Sequence, residues 1–241
     1  MRRVHLILSG LSLTIVALSL NRLTPFTQGY LQPFEFLRWL DFNAMLPIPL
    51  VSIVLYYLLK REIVSGSPFI KTRLYSFLSV ILVAGIYFFG AGSGDHEVTN
   101  YLHFRFCNDY QIDNSLCNIV FFNDDRFSHY VYYLGFVLLN VSLMIIEFKS
   151  PRKVLVSLRD LFAIAINSLV IAFGIFANLA FEEALIDLLV FGSVMLLALY
   201  LLFLTNKKLK SLPITYYFAV SYSVGVVGTI FYKLVTNTPF Y

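Results

Sequence analysis

Residues 94–130 read GDHEVTNYLHFRFCNDYQIDNSLCNIVFFNDDRFSHY, and they hold three of the four histidines, both cysteines and six of the fourteen acids. The sequence on either side is apolar. Of 241 residues, 59% are hydrophobic and 13% charged, where a soluble domain carries roughly 25% charged residues. Ionisable side chains are costly near hydrocarbon, so a segment of such a chain that collects them is a candidate site.

Outward from this segment the chain resolves into apolar runs at about 4–20, 44–59, 74–91, 130–148, 161–181, 184–205 and 213–235. A run of about twenty apolar residues spans a hydrocarbon core of roughly 30 Å. The expected fold is an all-α integral membrane protein, a seven-transmembrane-helix bundle. It forms a single polytopic domain over residues 1–241, with an outer loop and helix region at about 92–129. Pro47 and Pro49 predict an irregular end to the second helix. A single helix over 160–205 would be about 69 Å long, so a turn is expected near Glu182. The first run follows Arg2 and Arg3 but lacks a small-residue cleavage site near residues 21–25, and is expected to be a retained helix.

Charge orients the bundle. With the N-terminus in the cytoplasm, the inner segments collect thirteen of the eighteen Lys and Arg residues, among them Lys60, Arg61, Lys149, Arg152, Lys153 and Lys207. The outer segments hold Arg22, Arg38, Arg105, Arg126 and Lys233. This satisfies the positive-inside rule loop by loop. The expectation is N-terminus in, C-terminus out, in the plasma membrane. The net charge of +4 is explained by these loops and implies no nucleic-acid partner; the expected partners are the lipid bilayer and a lipid-like substrate. On the outer side, residues 33–41 with Trp39 suit a short interfacial helix, on which Glu35, Arg38 and Asp41 would share a face and pair.

Within the central segment, His96 and His103 are seven residues apart and would share one helix face. Asp95 would cap that helix after a glycine hinge at 90–94. Cys107 and Cys117, outside the cytoplasm, predict a disulfide in preference to a pair of metal ligands. Asn123 would cap the next helix, with Asp124 and Asp125 in its first turn. Asp125 and His129, four apart, would share a face. The metal ligands expected are therefore His96, His103, Asp125 and His129, an N and O donor set suited to zinc or iron. Asp124 and Glu183 are the candidate catalytic proton acceptors, and Glu182 and Asp187 are possible further ligands. The competing reading is a polar cluster that ties helix ends together without a metal.

A seven-helix layout of this kind resembles the membrane hydrolases of the alkaline ceramidase and progestin-receptor type, which implies zinc held by histidines and an aspartate. Those proteins place a histidine pair in the last helix, whereas this chain has no histidine after His129, so no residue is carried over. The expected function is a membrane-embedded, metal-dependent hydrolase of a lipid or amphiphile at the outer face. The alternative is a membrane carrier or receptor-like binding protein without catalysis, which substitution of Asn140 or Asn167 would strongly affect; mid-helix amides of this kind more often tie helices together by hydrogen bonds than line a pathway. A structural role in the membrane is the third reading. Lys233, near the outer end of the last helix, is expected to snorkel.

Overall fold

The computed structural model describes residues 1–107, 115–181, 185–205 and 209–239. Nine α-helices are described: α1 (Arg2–Leu23), α2 (Trp39–Met45), α3 (Pro47–Ile63), α4 (Arg73–Phe106), α5 (Ser115–Phe122), α6 (Ser128–Lys149), α7 (Leu158–Phe181), α8 (Leu185–Leu204) and α9 (Pro213–Thr236). Asn123–Phe127 is a π-helical turn that joins α5 to α6 without a break. Among the described residues there is no strand, only an isolated bridge between Tyr30 and Arg38. Counting α2–α3 as one and α5–α6 as one, seven helices are long and apolar enough to cross a membrane.

The surface fits that reading. On α7, Phe162, Ile166, Leu169 and Phe173 are all at least half exposed and recur at helical spacing, so they form one apolar outer face. Asn167 and Ser168 lie between them in sequence, and the Ser168 side chain is fully buried. Polar groups inward and apolar groups outward is the arrangement hydrocarbon favours.

Two compact units divide the chain. The first comprises residues 1–15, 55–82 and 139–241. Its core contains Leu8, Leu59, Leu143, Ile164, Tyr217 and Phe218, each no more than 2% exposed. Asn140 acts there as a tie: it accepts from the Tyr56 hydroxyl at 3.0 Å and lies 2.5 Å from that of Tyr222. Ser12 donates to Asn167 Oδ1 at 2.8 Å. The start of α9 lacks a side-chain cap of its own at Leu212. Glu147 of α6 takes that place, accepting from the Ile214 and Thr215 amides at 2.9 and 2.6 Å and from the Thr215 hydroxyl at 2.8 Å. Lys233 does not snorkel: it is 2% exposed and donates to the Pro239 carbonyl at 2.9 Å.

The second unit comprises residues 16–54 and 83–138. Residues 33–38 do not form the expected interfacial helix: 32–35 make a turn, in which Phe34 and Glu35 take positive φ angles of 66° and 52°. The helix begins only at Trp39, where Asp41 accepts from Arg38 through its amide, Nε and Nη2, with the two side-chain bonds both 2.8 Å. Glu35 is not part of that pair and instead meets Arg105 of α4 at 3.0 Å. The expected irregularity near Pro47 is a break at Leu46, between α2 and α3. The turn expected near Glu182 lies outside the described residues.

Candidate metal centre

The site rests on an antiparallel pair of helices within the second unit. Gly135 of α6 meets the backbone of Phe89 and Gly85, Gly92 of α4 meets the backbone of Tyr132, His103 meets Phe121, and Cys107 meets Cys117. Each step forward along α4 is matched by an equal step back along the partner. A Cβ on Gly135 would overlap the Phe89 backbone and lie 2.8 Å from the Gly85 carbonyl oxygen. The two glycines therefore set how closely the helices approach. The glycine hinge expected at 90–94 does not exist: α4 runs unbroken through it, and Asp95 lies inside the helix, not at its cap. Close packing at Gly92 offsets the helix propensity that glycine lacks. Beyond the site the pair is tied by Cys107 and Cys117, whose sulfurs are 2.03 Å apart.

Asp124 lies at the centre. It is 4% exposed and comes from the π turn. His103 Nδ1 is 2.8 Å from its Oδ2, and His96 Nδ1 is 3.2 Å from its Oδ1. The two histidines are two helical turns apart, so one carboxylate placed between them reaches both. The His96 contact lacks hydrogen-bond alignment with Oδ1, which is buried without a hydrogen-bond partner; His96 lies nearest in that respect to the Asp124 carbonyl, at 3.3 Å. The His129 ring stands 5.0 Å from that of His96. One ligand atom each from His103, Asp124 and Asp125 lies within 4.8 Å of the others.

The π turn explains where sequence spacing misleads. Asn123 was expected as an N-cap, but Phe122 before it is helical, with φ −62° and ψ −40°, and the Asn123 side-chain Nδ2 donates back to the Ile119 carbonyl at 2.8 Å. The Ser128 amide reaches the Asn123 carbonyl across five residues. This wider turn carries one extra residue, so positions five apart share a face in place of positions four apart. Asp124 and His129 both meet His96, while Asp125, expected to pair with His129, is exposed. π turns of this kind recur at functional sites.

No protein-family model, curated protein or solved structure matches the chain.

The rest of the expected set divides. Glu183 lies outside the described residues, as does Glu182, and Asp187 belongs to α8 of the first unit. Sequence reasoning missed Glu97, which is 5% exposed and 3.6 Å from Arg22 of α1, because no local spacing links residues so far apart. It also missed His5, whose Nε2 is 2.6 Å from Asp160 at the start of α7.

The donor set suits zinc or iron. Two ligands on a common ion at about 2.1 Å stand roughly 3.0–3.4 Å apart, near the 2.8 Å between His103 Nδ1 and Asp124 Oδ2; Asp125 is the third residue with a ligand atom in reach. The buried Asp124 Oδ1 supplies an unused acceptor, which is what a ligand atom requires.

Proposed function

We propose that this chain is a membrane-embedded metalloenzyme that hydrolyses a lipid or amphiphile. The observation that carries the reading is the buried Asp124 carboxylate facing two imidazoles while one of its oxygens lacks a hydrogen-bond partner. His103, Asp124 and Asp125, whose ligand atoms lie within 4.8 Å of one another, would hold zinc or iron, with His96 and His129 beside them. The bound ion would supply Lewis acidity and a water of lowered pKa. Exposed Phe122, Phe127 and Tyr130 near the cluster would seat an acyl chain at the depth where aromatic residues favour the membrane interface.

We place the N-terminus in the cytoplasm, the C-terminus and the cluster outside, and the chain in the plasma membrane. The excess of Lys and Arg in the alternate loops supports this orientation. The cysteine pair next to the cluster supports it too, because disulfides persist on the oxidising side of a membrane.

The test is metal analysis of the protein purified in a neutral detergent, together with turnover of long-chain fluorogenic ester and amide substrates. The reading expects about one zinc or iron per chain and hydrolysis that is lost in His103→Ala. Protein that takes up neither ion when both are offered sinks it and leaves the polar-cluster reading. Metal uptake without turnover of either substrate leaves a metal-binding membrane protein and removes the hydrolase.

A further inference from the structure

The first unit contains a cleft of about 800 Å³ where the ends of α3 and α6 meet the loops that follow them. Lys149, Arg152 and Lys153 line it, against a single acid, Glu62. Two helix C-termini point there, and each contributes roughly half a negative charge. With Glu62 these offset about two of the three cations, so the cleft keeps a positive balance.

Its polar groups are ready to donate. Arg152 Nη2 is 3.7 Å from Glu62 Oε1, beyond hydrogen-bond distance, so its guanidinium can turn to a better acceptor without breaking a strong pair. Ser67 uses its oxygen to accept from the Phe69 amide at 3.3 Å, which leaves its hydroxyl proton for a ligand. Gly66, at φ 71°, turns the rim between Ser65 and Ser67 and has nothing within 4 Å of a Cβ position, so the approach is open. Val154 on the far rim is 84% exposed, an apolar neighbour for a chain attached to the ligand.

We propose that this cleft binds a phosphate group with an unneutralised negative charge, carried by an anionic lipid headgroup or by a soluble phosphate. A planar guanidinium with flanking ammonium groups and hydroxyls is the donor set such a group recognises, and basic pockets at the ends of membrane helices take such headgroups. The site is separate from the Asp124 cluster and does not depend on it.

The full chain in neutral detergent is titrated with dioctanoyl phosphatidylglycerol and, separately, dioctanoyl phosphatidylcholine, with binding read by native mass spectrometry. The phosphatidylglycerol is expected to bind at least about fivefold more tightly, and each cation removed to weaken it about fivefold. The double variant Arg152→Gln, Lys153→Gln should lose that preference. Arg2→Gln, Arg3→Gln, which removes the same charge at exposed positions outside the cleft, should keep it. Lys153→Gln alone, at an exposed side chain, serves if the double variant does not fold. Displacement of the lipid by millimolar inorganic phosphate assigns the site to the phosphate itself; resistance to it assigns the site to the lipid. Equal binding of the two lipids, or equal loss in the two double variants, overturns the proposal.

Discussion

His103 Nδ1 stands 2.8 Å from Asp124 Oδ2, and this contact joins α4 to a carboxylate that a π turn holds in a buried position. Asparagine at 124 keeps the size but removes the charge and replaces one acceptor with a donor. Asp124→Asn is expected to lower zinc affinity by at least about tenfold, in line with losses seen even for outer-shell partners. Zinc at a hundred times its Kd should stabilise the wild type by about 2.7 kcal/mol and the variant, at tenfold weaker affinity, by no more than about 1.4 kcal/mol. Thermal melts with zinc and with a chelator measure the difference; equal stabilisation of both proteins would show that Asp124 is no ligand.

Gly135→Ala touches no member of the cluster, yet its methyl would collide with the backbone of Phe89 and Gly85. Backbone cannot give way as a flexible side chain does, so α4 and α6 must move apart. The expected cost is about 1–3 kcal/mol of stability, typical of overpacking. Zinc affinity should fall as well, because His96 and His103 ride on one helix and Asp124 on the partner. Gly94→Ala, on α4 where nothing lies within 4 Å of a Cβ position, should leave zinc affinity unchanged and raise stability by up to about 1 kcal/mol. Calorimetric zinc titration of the two variants decides it.

The seven spans were legible because hydrocarbon imposes a length and a composition that no loop meets. The cysteine pair was legible from its setting, and so was the tie at Asn140, since a mid-helix amide in an apolar helix needs partners. The partners themselves, Tyr56 and Tyr222, were not, because they come from distant helices. The cluster was legible as a collection of residues and misread as a geometry. His96 and His103 share a face as their spacing requires, but the face of Asp124 depends on one extra residue in the π turn, which no capping or periodicity signal announces. The glycines at 90–94 looked like a hinge because the helix propensity of glycine is low; the tertiary contact that Gly92 makes with Tyr132 lies outside any local window.

Glu147 presents both carboxylate oxygens to three donors at the start of α9 while being 1% exposed. Removing the side chain leaves two backbone amides without an acceptor where water does not reach. Glu147→Ala is expected to destabilise the protein by about 3 kcal/mol, since a buried unsatisfied donor costs roughly 1–3 kcal/mol. Glu147→Gln retains one acceptor oxygen and should cost about half as much. Thermal unfolding of the two variants in the same detergent gives the ranking; a milder effect for alanine than for glutamine would mean the carboxylate does not cap α9.

Cys107 and Cys117 close a loop of ten residues between the two arms of the helix pair. Chain entropy for a loop of this length gives about 3 kcal/mol of stabilisation, an upper figure here because the arms already pack against each other. The functional consequence is sharper than the stability one. The Cys107 amide donates to the His103 carbonyl at 3.0 Å, so the bond anchors the last turn of α4, the turn that aims His103 at Asp124. Cys107→Ser, Cys117→Ser is expected to fray that turn and to weaken zinc binding by several fold, because His103 would lose its fixed aim. Amide hydrogen exchange of residues 99–107, with and without zinc, reads this directly. Unchanged protection in the serine variant would mean that packing against Phe121 alone fixes His103, with the disulfide only a lock on the loop.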